Sequence, residues 1–207
     1  MRRLLDATFV GWAIRMVTRP QVEGAEQLEG LAGPVLICPN HVSHLDAPVV
    51  RAALPARMRD RTAIAAAADV WFDGSPWGPA TELALGAIPF GRASDIRASL
   101  ERVADLVNDG FSVIIFPEGK RSADGRTGPM REGIGLLATS LRVPVVPAYI
   151  EGAHEILPKG AWLPRHRGAS GIHIRFGAPL ELGSDVGIHD ATEQVGRAIE
   201  ALVTAVR

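Results

Sequence analysis

Two apolar runs rich in β-branched residues, Val35-Leu36-Ile37-Cys38 and Phe111-Ser112-Val113-Ile114-Ile115-Phe116, each stop at a proline and pass directly into a polar cluster. An apolar run of this length followed by polar residues and then a helical pattern reads as strand, loop and helix. In an open α/β sheet the carboxyl ends of the strands are where ligands bind. The two clusters, Asn40-His41-Val42-Ser43-His44-Leu45-Asp46 and Pro117-Glu118-Gly119-Lys120-Arg121-Ser122, are therefore expected to share one sheet edge.

The first cluster carries the residue types of a general base. A neutral imidazole, with an ordinary pKa of about 6.5, can take the proton of an attacking hydroxyl. A carboxylate beside it fixes the tautomer and stabilises the imidazolium that forms. His41 and Asp46 are five positions apart across the loop, near enough to meet once the chain turns. Three other readings compete. Asp46 suits the N-cap of the helix that follows, with Pro48 in its first turn. His41, His44 and Asp46 are all zinc-ligand types, but the two histidines lack the i, i+4 spacing of a helical pair. Ser43 lacks the flanking glycines of a nucleophile elbow.

Composition narrows the partners. A chain of 207 residues with 47% hydrophobic content fits one domain with a sizeable core. A formal net charge of −1 gives no overall field for nucleic acid, so an anion site must be local. Cys38 is the single cysteine, which excludes an internal disulfide and makes a reducing compartment the natural home. Its apolar neighbours mark it as a buried small hydrophobe. No run of about 18 apolar residues suggests a transmembrane helix. Asp6 and Arg15 interrupt any signal-peptide core.

Along the chain, Leu4, Leu5, Phe9, Trp12, Ala13 and Met16 recur at helical spacing among arginines. This predicts an amphipathic helix over 1–20 that either docks on the core or lies in a membrane interface. Residues 21–28 read as a short strand and turn, 46–54 as a helix, 55–61 as a polar turn and 62–67 as a strand. A helix follows Pro76. The spacing of Ile96, Leu100, Val103 and Val107, capped by Ser94 or Asp95 and stopped by Gly110, predicts another. Residues 132–141 read as a helix, and 143–150 as a strand broken by Pro144 and Pro147. A long loop over 151–169 holds Arg165-His166-Arg167, and 172–176 reads as a strand with His173 and Arg175 on one side. Asp190 and Glu193 form a capping box for the last helix. Strands alternating with helices predict an α/β fold: a single-domain mixed, mostly parallel sheet flanked by helices, with residues 21–207 as the domain.

These blocks, taken in order, resemble the glycerolipid acyltransferases of the lysophosphatidate acyltransferase type. Asn40 to Asp46 is similar to the family's His and Asp separated by four residues, Gly86 to Arg92 to its second block, Phe116 to Ser122 to its third and Val143 to Pro147 to its fourth. The resemblance runs from about Gln21 to Leu180. It implies that His41 is the base and Asp46 its orienter, and that Arg92, Glu118, Gly119 and Arg121 bind the acceptor, with Lys120 adding positive charge beside Arg121. It also implies transfer of a fatty acyl group from acyl-CoA or acyl-carrier protein, as co-substrate and with no cofactor, to a lysophospholipid such as 1-acyl-glycerol-3-phosphate. The resemblance favours the interfacial reading of residues 1–20, and so a protein peripheral to the cytoplasmic face of a membrane. An acceptor without phosphate, or hydrolysis of a lipid or thioester, is the alternative. The chain departs from the family at Lys120, where a small hydroxyl residue is frequent, and at Ala67, where a phosphate-holding lysine is common.

Overall fold

The strand Leu36–Pro39 (β2) is buried along its whole length because it has a core on each face. Leu36 and Cys38 enter one apolar cluster, and Val35 and Ile37 enter the other. That alternation is the period of two of an extended chain. In the computed structural model, which describes residues 20–67, 87–90, 96–161 and 171–204, six further strands join it. They are β1 (Gln21–Glu23), β3 (Thr62–Ala67), β4 (Ala87–Phe90), β5 (Ser112–Ile114), β6 (Val145–Glu151) and β7 (His173–Phe176). The sheet order is β1-β7-β6-β2-β5-β3-β4. Only β6 and β7 pair antiparallel; every other neighbouring pair is parallel. The expected mixed, mostly parallel sheet is thus present.

Helices cover both faces. Val49 and Val50 of the helix Asp46–Ala53 pack with Ile37, Ile114 and Val146. On the other face lie Val103 and Val107 of Ile96–Asn108, Leu137 of Gly133–Leu141, and Val195 and Ile199 of Ile188–Thr204. These recur at i, i+4, as a core-facing helical stripe requires. Each fully buried aliphatic side chain stabilises the fold by about 1.5–3 kcal/mol. The rows Val35–Cys38 and Val113–Ile114 are therefore a rigid base for the loops at their carboxyl ends. Gly135 lets two of these helices approach closely, since a Cβ there would overlap the carbonyl oxygen of Ile188.

Several local expectations are corrected. The strand expected over 143–150 is Val145–Glu151: it starts after Pro144 and runs through Pro147 unbroken. Val145 N–H and Pro147 C=O both bond to the segment 177–180, so the missing N–H of Pro147 falls on the side where β7 has already ended. The turn at 55–61 contains a short helix, Ala56–Arg59, seated by the buried Met58. Another short helix, Glu26–Glu29, follows β1 and buries Leu28, and Ala153–Ile156 forms a third within the expected loop. The last helix begins at Ile188, with Ala191 N–H bonded to Gly187 C=O, so Asp190 lies in its first turn and makes no capping box. Ala87–Phe90 is itself a strand, with Pro89 tolerated because β4 is at the sheet edge. The predicted helices at the N-terminus and after Pro76, and the basic cluster at 165–167, lie outside the described residues.

Candidate active site

Because β2 and β5 are parallel neighbours, with Leu36 opposite Val113 and Ile37 opposite Ile114, the loops that leave their carboxyl ends emerge side by side. Asn40 anchors the first. Its amide oxygen accepts the Ile150 N–H at 2.7 Å and its amide nitrogen donates to Ile150 C=O at 3.1 Å. The fully buried side chain thereby extends the ladder between β2 and β6 by one residue's worth of bonds.

Beyond Asn40 the chain curls around a single oxygen. Asp46 Oδ2 accepts the main-chain N–H of Val42 at 2.6 Å and of Ser43 at 2.7 Å, and lies 2.8 Å from His41 Nδ1. Asp46 is fully buried and makes no cap bond to its own helix, so the N-cap reading is replaced by an inward one. A carboxylate can only accept here, so His41 Nδ1 carries the proton and Nε2 is left as the basic nitrogen. The imidazole stacks on Phe116, ring centroids 3.9 Å apart, and keeps about 20% of its side-chain surface exposed. Ser43 is committed elsewhere: its hydroxyl donates to Leu157 C=O at 2.7 Å and accepts Leu45 N–H.

The second loop grips the first. His41 N–H donates to Glu118 Oε1 at 2.8 Å, and His41 C=O accepts the Ser122 N–H at 2.8 Å. Glu118 Oε2 accepts Gly128 N–H at 3.0 Å, and Glu118 C=O accepts from Arg131 Nε at 3.2 Å. Gly119 turns the chain at φ +67°, where an added Cβ would also lie 2.6 Å from the Arg131 side chain. Burial pushes the Glu118 carboxyl above the ordinary range, opposed by its two N–H bonds and reinforced by the nearby Asp46 charge. His44 is pushed down to about 4, mainly by burial and further by the charges of Arg121 and His41. At neutral pH it is an uncharged imidazole beside Arg121. Burial raises the Cys38 thiol far out of the reactive range.

The structure therefore brings His41, Asp46, Glu118 and Arg121 together at one sheet edge, with Gly119 and Lys120 exposed on the same turn. Arg92 lies outside the described residues. Ala67 ends β3 opposite Phe90. Sequence reasoning missed the clasp of Asn40 on Ile150, the Phe116 platform and the amide partners of Glu118. Phe116 was signalled as the last apolar residue of its run and the first of the third block, with nothing to show that its ring meets His41, and the other contacts join residues up to 110 positions apart. Among the described residues no three His, Cys, Asp or Glu gather as a metal-binding set, and no helix is long and apolar enough to cross a membrane.

A family model described as Acyltransferase matches residues 19–151. A chloroplastic 1-acyl-sn-glycerol-3-phosphate acyltransferase of Brassica napus is 42% identical over 80 residues, 37% of this chain and 23% of the relative. The human 1-acyl-sn-glycerol-3-phosphate acyltransferase beta is 29% identical over 155 residues, 70% of this chain and 53% of the relative. The matched stretches thus span well under two thirds of these curated relatives. In fold, the chain is similar to the crystal structure of the 1-acyl-sn-glycerophosphate acyltransferase from Thermotoga maritima. The TM-score is 0.74 at 19% identity, over 99% of this chain and 81% of that one.

Proposed function

The chain belongs to the acyltransferase family, and from that premise we propose that it moves a fatty acyl group from an acyl thioester to the free hydroxyl of a lysophospholipid. The donor is acyl-CoA or acyl-carrier protein, and 1-acylglycerol-3-phosphate is the default acceptor. The observation that carries this reading is the His41 Nδ1–Asp46 Oδ2 bond of 2.8 Å on a partly exposed ring. His41 Nε2 takes the acceptor hydroxyl's proton as its oxygen attacks the thioester carbonyl. The C–O bond forms, the C–S bond breaks, and the proton passes to the departing thiolate, with no acyl-enzyme. Ser43, its hydroxyl spent on Leu157, is not needed as a nucleophile.

Arg121, with Lys120, Gly119 and Arg92, would hold the acceptor head group, since guanidinium forks match phosphate oxygens. Residues 21–207 act as one acyltransferase domain. On the same reading residues 1–20 bind the membrane interface and the protein is peripheral, and we assign it to the cytoplasmic face. Ala67 supports a second reading of the acceptor alone: without a lysine there, a head group lacking phosphate is accepted as well. The test is mass spectrometry of lipids formed from a mixed lysolipid pool with one acyl-CoA. Diacyl lipid supports transfer and names the acceptor, whereas free fatty acid in the presence of acceptor means hydrolysis.

A further inference from the structure

His41 is held by its main chain as well as by its ring. Its N–H donates to Glu118 Oε1 at 2.8 Å, its C=O accepts the Ser122 N–H at 2.8 Å, and Oε2 of the same Glu118 accepts the Gly128 N–H at 3.0 Å. The Glu118 side chain thus spans from the base to the loop at Gly128, and the residue is only 4% exposed. We infer that Glu118 is a positioning residue, which sets the backbone of His41 while Asp46 sets its ring, and that it does not contact the acceptor. The inference deepens the proposed function and rests on it.

Chemistry explains why a carboxylate is required. Two main-chain N–H groups point at the two ends of one side chain, and only a carboxylate accepts at both ends. Glutamine offers one acceptor and would aim its NH2 at the other N–H. Aspartate is one methylene too short to span the gap. A residue that merely accepts a hydrogen bond from an acceptor hydroxyl has no such demand, because the amide oxygen of glutamine serves equally well there. Displacement of a base by roughly 1 Å is enough to cost on the order of 10²-fold in rate. His41 is bonded by Asp46 and Glu118 and feels the His44 imidazole, so removing one charge also changes the field at the ring.

The experiment compares the purified full chain with Glu118→Gln, Glu118→Ala and Gly128→Ala on lysophosphatidate and on a lysolipid with an uncharged head. Both Glu118 variants are expected to lose about 10–100-fold in kcat, with acceptor KM within about twofold of wild type on either lipid. Gly128→Ala leaves every polar group in place but sets a methyl 3.1 Å from Glu118 Oε2; its kcat should fall several-fold at unchanged KM. Nitrogen-edited NMR of the His41 Nδ1 proton should show that resonance moved in Glu118→Gln, a readout that needs no turnover. A raised KM with kcat retained, full activity of Glu118→Gln, a wild-type kcat for Gly128→Ala, or an unmoved His41 resonance overturns the inference. A moved resonance in a chain whose wild type makes no diacyl lipid leaves the positioning role standing and removes the proposed function instead.

Discussion

His41 Nδ1 lies 2.8 Å from Asp46 Oδ2, and that oxygen also accepts two main-chain N–H bonds from Val42 and Ser43. Asp46 therefore shapes the loop and orients the ring with one atom. His41→Ala should lose about 10²–10⁴-fold in turnover while circular dichroism remains that of wild type. Asp46→Asn should lose as much, and should unfold at lower temperature as well, because an uncharged amide oxygen holds the same three donors more weakly. A His41 variant that turns over like wild type would remove His41 from the mechanism.

Asn40 offers a test of stability rather than chemistry. Replacing it by Ala leaves the buried Ile150 N–H and C=O without their side-chain partner. Each unmade bond costs about 1–3 kcal/mol, so Asn40→Ala should lose roughly 2–6 kcal/mol in urea unfolding. A loss well under 1 kcal/mol would mean that other groups replace the clasp.

His44 makes stability depend on pH with a defined sign. Its folded pKa is about 4, against an ordinary 6.5. Between those values the unfolded chain binds the proton and the folded chain does not, so this group's contribution falls as pH drops from 6.5 toward 4. Glu118, shifted upward, contributes in the opposite direction. The two are separated by comparing wild type with His44→Gln in thermal melts across that window. The variant should lose less stability on acidification; parallel curves would contradict the burial of a neutral imidazole.

The head group is tested through Arg121 and Ala67. A charged hydrogen bond lost from a desolvated site costs about 1.5–3 kcal/mol, or roughly one to two powers of ten. Arg121→Ala should raise the KM for lysophosphatidate by about that factor and leave an uncharged-head lysolipid unaffected. Ala67→Lys should change phosphate-acceptor turnover little if Lys120 already supplies the charge, and improve it if the native acceptor lacks phosphate. Equal losses on both lipids for Arg121→Ala would assign that residue to the fold.

Deleting residues 1–18 should weaken sedimentation with anionic liposomes more than it lowers the melting temperature. Leu4, Leu5, Phe9 and Trp12 would bury in the interface while the arginines favour anionic lipid. Unfolding of the truncated chain with liposome binding retained would place this segment on the core.

What the sequence determined by itself was local and periodic. The runs 35–38 and 111–116 specify strands through apolar residues, and Val103/Val107 and Val195/Ile199 specify helical faces through their spacing. Polar clusters directly after two strands were enough to place His41, Asp46 and Glu118 at one sheet edge, since parallel neighbours put their carboxyl ends together. Tertiary structure decided the partners. Whether Asp46 would cap its helix or turn back to His41, whether Pro147 would break β6, and which groups Glu118 would bond all depend on chain segments 10 to 77 positions away or on loop curvature. A hydrogen bond is directional and short-ranged, so its donor and acceptor are fixed only after the sheet has brought distant loops within about 3 Å. Hydrophobic burial is non-directional and follows composition along the chain, which is why the layers were legible in the sequence and the grip on His41 was not.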